Sequence, residues 1–142
     1  MALSKKQRAE LREKFGGRCA YCGGLLGDKW HADHIENVER ELKHIPGVGI
    51  RSTGKMLRPE RDTLANMNPA CPPCNIDKHS LTLEGWRELM QRSNEVLMRD
   101  VSTFRRAVRY GLVTLNAEPI VFYFEKLATQ VAAKEGAQHD RS

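Results

Sequence analysis

The chain has four cysteines, and all of them fall in two Cys-x-x-Cys pairs, Cys19-Ala-Tyr-Cys22 and Cys71-Pro-Pro-Cys74. Each pair sets two thiols on one tight turn. Two such pairs supply the four sulfurs of a tetrahedral structural zinc site, with no cysteine left over. In a reducing compartment disulfides are disfavoured, so the spacing favours metal ligation over two unrelated pairs or a single redox pair. The 48 residues between the pairs, Gly23 to Ala70, exceed the roughly 15–20 of a simple zinc ribbon. A further element must sit between the two knuckles.

Size and charge narrow the class. At 142 residues the chain is about one domain long, and 29 % charged against 40 % apolar residues fits a soluble globular fold. No run of residues approaches the roughly 18–20 apolar positions of a membrane span. Met1 to Lys14 is charged and lacks the apolar core of a secretion signal, which predicts a cytoplasmic protein. The net charge of +5 points to an anionic partner, with nucleic acid foremost. Residues 1–80 carry 14 basic and 10 acidic side chains, a net +4, and residues 81–142 carry 9 and 8, a net +1. The surplus therefore travels with the cysteines.

Local patterns predict the elements. Ser4 and Gln7 form a capping box at the head of a helix running to Phe15, and Gly16-Gly17 stops it. Cys19 to Gly24 is a tight turn, and Trp30 to Val38 contains a short β-like run. Residues 39–65 read as a loop-rich insertion, broken by Pro46, Gly47, Gly49, Gly54 and Pro59. A short helix is expected from Asn75, with Pro72 and Pro73 just before it. Leu83, Trp86, Leu89 and Met90 share one helical face, and Leu97, Val101, Phe104 and Val108 a second, which Gly111 ends. Arg105, Arg106 and Arg109 read as a solvated basic face. Ile120 to Phe124 fits either a strand or the start of a last helix, and residues 136–142 read as a disordered tail. The expected organisation is a core over 1–85, a helical extension packed on it over 86–135, and that tail.

The chemistry lies between and beside the knuckles. Asp33 is a hard oxygen ligand for a divalent cation, and His34 beside it suits a base or a ligand. Asn75 and His79 stand four apart, so on one helix they share a face and can address one metal. In order along the chain these are Cys19-x-x-Cys22, Asp33-His34-Ile35, Asn66 and Cys71-x-x-Cys74-Asn75-x-x-Lys78. Over roughly residues 15–85 this pattern resembles the HNH nuclease family, and within it the small zinc-knuckle proteins of bacteriophages and prophages.

The resemblance implies an α+β protein with a ββα-metal core, stapled by a four-cysteine zinc site and followed by a mostly helical C-terminal extension. It implies a DNA endonuclease in which His34 is the general base and Asn66 constrains the loop and orients that base. Asp33 and Asn75 would hold the catalytic cation, with His79 as a further ligand. Magnesium or manganese suits the oxygen donors, and nitrogen from His79 shifts preference towards manganese, nickel or zinc. Lys78 matches a basic position assigned to phosphate contact or local structure. The products would carry a 5′ phosphate and a 3′ hydroxyl. DNA is the implied partner, phage packaging proteins fit the same setting, and monomer and dimer both stay open. The 31 residues between His34 and Asn66 depart from a minimal member, and Arg51, Lys55 and Arg58 in that stretch are candidate DNA contacts. Strict strand alternation sets Asp33 and His34 on opposite faces, so both serve one site only if the strand twists or ends there. A second class of function, a zinc-stabilised nucleic-acid-binding module without turnover, differs by having no use for Asp33, His34 and Asn75. A redox protein using Cys71-Pro-Pro-Cys74 would bind no zinc.

Overall fold

The Ser4 hydroxyl accepts a hydrogen bond from the Gln7 backbone N–H at 3.2 Å, and the Gln7 side chain accepts from the Ser4 N–H at 3.0 Å. This reciprocal cap starts α1, Lys5–Glu13. In the computed structural model, which describes residues 2–140, the chain forms two units, Met1–Thr82 with Phe122–Ser142 and Leu83–Val121.

In the first unit α1 buries Leu11 and fastens itself through its basic side chains. Arg8 donates to the Trp30 carbonyl at 2.9 Å and lies over the Trp30 ring. Arg12 donates to the Leu26 and Gly27 carbonyls. Lys14 donates to the Met67 carbonyl and to Asn68 Oδ1. Part of the positive surplus of this half is thus occupied by satisfying backbone carbonyls.

Strand β1, His31–His34, pairs antiparallel with a buried strand, Met67–Ala70, in the register His31↔Ala70 to His34↔Met67. The segment between them differs from its expected loop. It folds as an antiparallel hairpin of β2, Arg40–Ile45, and β3, Gly49–Met56, which makes Met67–Ala70 strand β4. The turn explains why. Pro46 and Gly47 occupy its centre, Gly47 has φ +78°, and the Val48 N–H closes it on the Ile45 carbonyl at 3.0 Å. Pro followed by Gly at positive φ is a tight-turn signal, and here it outweighs the loop-like composition around it.

Helix α2, Pro72–Lys78, follows β4 directly. It begins three residues earlier than expected. Pro72 and Pro73 lie in the first turn, where a missing N–H costs nothing and a fixed φ helps. The β1–β4–α2 succession is the mixed α and β centre of this unit.

The second unit holds α3, Leu83–Gln91, α4, Ser93–Asp100, and α5, Ser102–Arg109. The face expected to run from Leu97 to Val108 is broken, because Val101 is extended (φ −118°, ψ 103°) and separates two helices. Arg105 bonds the last carbonyls of α4, those of Met98 and Arg99, so one of the three expected surface arginines closes a helix end. Residues 116–120 return along α3 and α4, tied by Arg87 to the Ile120 carbonyl, by Gln91 to Glu118 and Ile120, and by Asn94 to Asn116.

Phe122 brings the chain back to the first unit. Its N–H is taken by Glu125 Oε2 at 2.9 Å, and α6, Tyr123–His139, starts there, so the undecided segment resolves as a helix start. The helix runs through His139, four residues into the expected disordered tail; Arg141 and Ser142 of that tail lie outside the described residues. Among the described residues no helix is long and apolar enough to cross a membrane.

Candidate functional site

The first knuckle is held from two sides. The Ala20 N–H bonds the Pro69 carbonyl of β4 at 2.9 Å, and the Ala20 and Tyr21 carbonyls accept from Phe124 and Tyr123 at the head of α6. The Cys19 N–H closes the turn on the Gly24 carbonyl, and the Gly24 N–H points at Cys22 Sγ at 3.4 Å. Gly23 is required twice over. Its φ is +75°, and a Cβ there would come within 2.9 Å of the Tyr123 ring. Phe122 and Phe124 then pack against Tyr21, with ring centroids 5.6 and 6.4 Å away.

This scaffold brings the four sulfurs of Cys19, Cys22, Cys71 and Cys74 within 4.8 Å of one another. Cys22 and Cys71 are 3.8 Å apart, and zinc–sulfur bonds of about 2.3 Å in a tetrahedron require an edge of about that length. The donor set therefore fits a metal ion such as zinc. Hydrogen bonds from the Cys74 thiol, and from the backbone N–H groups of Cys71, Cys22 and Tyr21, favour the Cys19 thiolate and pull that group down to about 4. That thiolate, with burial, pushes Cys74 up, and burial does the same to Cys71. A dication reverses both effects by stabilising every thiolate at once.

Asp33 points from β1 into the interior and is 6 % exposed. The Tyr21 hydroxyl donates to its Oδ2, and Lys78 Nζ stands 3.1 Å from the same oxygen. Asn68, opposite Asp33 in the register, bonds Tyr21 and accepts from Lys14. Burial and the Asp33 charge raise the Tyr21 hydroxyl well above its ordinary range, so it stays a donor. Of the two roles expected for Lys78, the structure shows the local one. The residue has no exposed surface, and its ammonium also donates to the His34 carbonyl at 2.8 Å. It holds β1 to α2.

His34 ends β1 with its side chain 20 % exposed, and its Nε2 lies 2.8 Å from Asp62 Oδ1. Asp62 follows a 3₁₀ turn, Pro59–Arg61, and its side chain is 9 % exposed. A carboxylate only accepts hydrogen bonds, so in the neutral imidazole Nε2 carries the proton towards Asp62 and Nδ1 holds the lone pair. Asn66 stands just before β4. Its amide accepts from the Glu36 N–H and donates to the Glu36 and Arg61 carbonyls, at 2.8 to 3.0 Å. These bonds fix the chain on both sides of the inserted hairpin, and so fix the approach of Asp62 to His34.

Asp33 and His79, both expected to hold a second cation, are engaged in other contacts. The Asp33 carboxylate already faces an ammonium, and a cation there would meet a like charge. Helix α2 stops at Lys78, and His79 leaves it with φ +50°, exposed and bonded to Ser80 Oγ at 2.9 Å. The shared helical face of Asn75, which is half-buried, and His79 is thereby lost. Among the described residues, the four cysteines form the one group of three or more Cys, His, Asp or Glu side chains close enough to hold a metal. Of the expected DNA contacts, Arg51 and Lys55 are exposed on the hairpin, and Arg58 pairs with Glu39 at the hairpin root.

Sequence reasoning missed Asp62 and Tyr21. Tyr21 falls between the two cysteines of its knuckle, and Asp62 lies 28 residues from His34, beyond the hairpin; neither carries a spacing signal. No protein family, curated protein or solved structure matches the chain.

Proposed function

We propose that the chain is a zinc-stapled DNA endonuclease of the HNH kind, hydrolysing phosphodiester bonds with His34 as general base. The observation that carries this reading is the His34–Asp62 pair at the C-terminal end of β1. Water is a weak nucleophile towards a phosphodiester, and an imidazole with a free, aimed lone pair removes the proton as attack proceeds. Asp62 holds the ring in the tautomer that leaves Nδ1 as acceptor and stabilises the imidazolium that forms. Asn66 keeps the two together by tying Glu36 to Arg61. In this reading the zinc is structural, holding the first knuckle to α2 and so fixing β1 and its terminal histidine. Asp33 and Asn75 remain the residues that would hold a catalytic cation, Asp33 being paired with Lys78 here, and no step is assigned to that cation.

One observation favours the second reading, a nucleic-acid-binding module without turnover. The Lys78–Asp33 pair neutralises the carboxylate that an HNH enzyme would offer to its cation. Supercoiled plasmid incubated with the zinc-loaded protein and a panel of magnesium, manganese, nickel and added zinc separates the two. Nicked or linear product supports the enzyme. Bound but intact plasmid under every cation supports the module.

A further inference from the structure

The β2–β3 hairpin is built unlike the rest of its unit. No residue of either strand is buried, and among the described residues no strand pairs with either outer edge. A lone two-stranded ribbon is marginal in water. This one is tied down at its root, where the Leu57 and Arg58 N–H groups bond the Glu39 and Val38 carbonyls. Its charge is equally unusual. Residues 40–58 carry Arg40, Lys43, Arg51, Lys55 and Arg58 against Glu41 alone, a net +4 in a chain whose total is +5.

The register concentrates that charge on one face. Lys43 lies directly opposite Arg51, while the neighbouring pairs Leu42↔Ser52 and His44↔Ile50 point the other way. Glu41, two residues before Lys43, reaches both Lys43 and Lys55, at 3.9 and 4.0 Å, which places Lys55 on the same face. Like charges directly opposite destabilise a strand pair, and the lone Glu41 offsets little of that. Protecting bare edges needs scattered charges, not a cation set against a cation. The arrangement makes sense when an anion shares the face.

We propose that the hairpin is a docking arm for duplex DNA, with Lys43, Arg51 and Lys55 set against the phosphate backbone. The partner chemistry follows from the shape. Eight residues of β3 span about 25 Å, several phosphates along a duplex. A two-stranded ribbon also fits a major groove about 12 Å wide. The proposal rests on the nucleic-acid reading above but not on turnover.

The test is binding of the zinc-loaded full chain to a labelled duplex of about 30 base pairs, long enough to span the arm several times over, without added divalent cation, over a salt series. The Lys43→Gln/Arg51→Gln/Lys55→Gln protein is compared with a control that loses three lysines elsewhere, Lys29→Gln/Lys126→Gln/Lys134→Gln. The hairpin variant should keep its zinc and fold. It should lose at least about tenfold in affinity near 0.1 M salt, with the slope of log K against log salt shallower by about 2–3. The control should retain most of both. Equal losses in the two variants, unchanged binding by the hairpin variant, or tighter wild-type binding to single strands or RNA than to duplex would overturn the proposal. A wild type that binds duplex through the hairpin yet cuts no plasmid overturns the nuclease reading and leaves the arm standing.

Discussion

His34 Nε2 and Asp62 Oδ1 are 2.8 Å apart, although a whole β-hairpin separates the two residues in sequence. The pair converts an ordinary strand-end histidine into an oriented one. Asp62→Asn replaces an acceptor-only carboxylate with an amide that can donate, so the imidazole is no longer held in one tautomer. In wild type, the ¹⁵N shifts of His34 should report a protonated Nε2 and an unprotonated Nδ1. The Asp62→Asn protein should show mixed tautomers and cleave about 10²-fold more slowly at unchanged DNA affinity. A variant with the wild-type shifts and rate would remove Asp62 from the site.

Lys78 and Asp33 are both enclosed, and each is the other's charge partner. Removing one side of a buried pair leaves the other uncompensated, at a cost of about 3–5 kcal/mol. Lys78→Met should therefore lower the urea midpoint of the zinc-loaded protein sharply, and adding Asp33→Asn should recover part of the loss. A Lys78→Met protein that keeps its stability and loses DNA affinity would restore the phosphate role expected from sequence.

A metal held by the four sulfurs would tie the first knuckle to α2 and so couple metal binding to the fold. One zinc per chain is expected by elemental analysis. Cys71→Ser should release it and melt the β1–β4–α2 region, because structural zinc contributes folding free energy outright. Since the thiols must lose their protons to bind, acid should release zinc, and stability should fall as pH falls through the same range. An unchanged melting curve with zinc retained would contradict the staple.

What sequence carried, and what it did not, follows from the range of each signal. The Ser4–Gln7 cap and the cysteine cluster were legible because a capping box is local and four thiols have few other uses. The hairpin was obscured by its own glycines: Gly47, Gly49 and Gly54, all at positive φ, shape its turn and strands but look like loop composition. Asp33 was readable as chemistry but not as geometry. Its partners Tyr21 and Lys78 come from a knuckle and a helix that only the fold brings together. His79 departs from the expected helix for a local reason, since α2 ends one residue before it and its own φ is +50°.

Plasmid cleavage by His34→Ala, measured beside wild type under the same cations and with zinc content checked in both, tests the nuclease reading most directly. The expected result is nicking by wild type and a loss of about 10²–10⁴ in rate for the variant, with zinc and melting temperature unchanged. Equal cleavage by both proteins, or none by wild type with zinc bound and the fold intact, would contradict it.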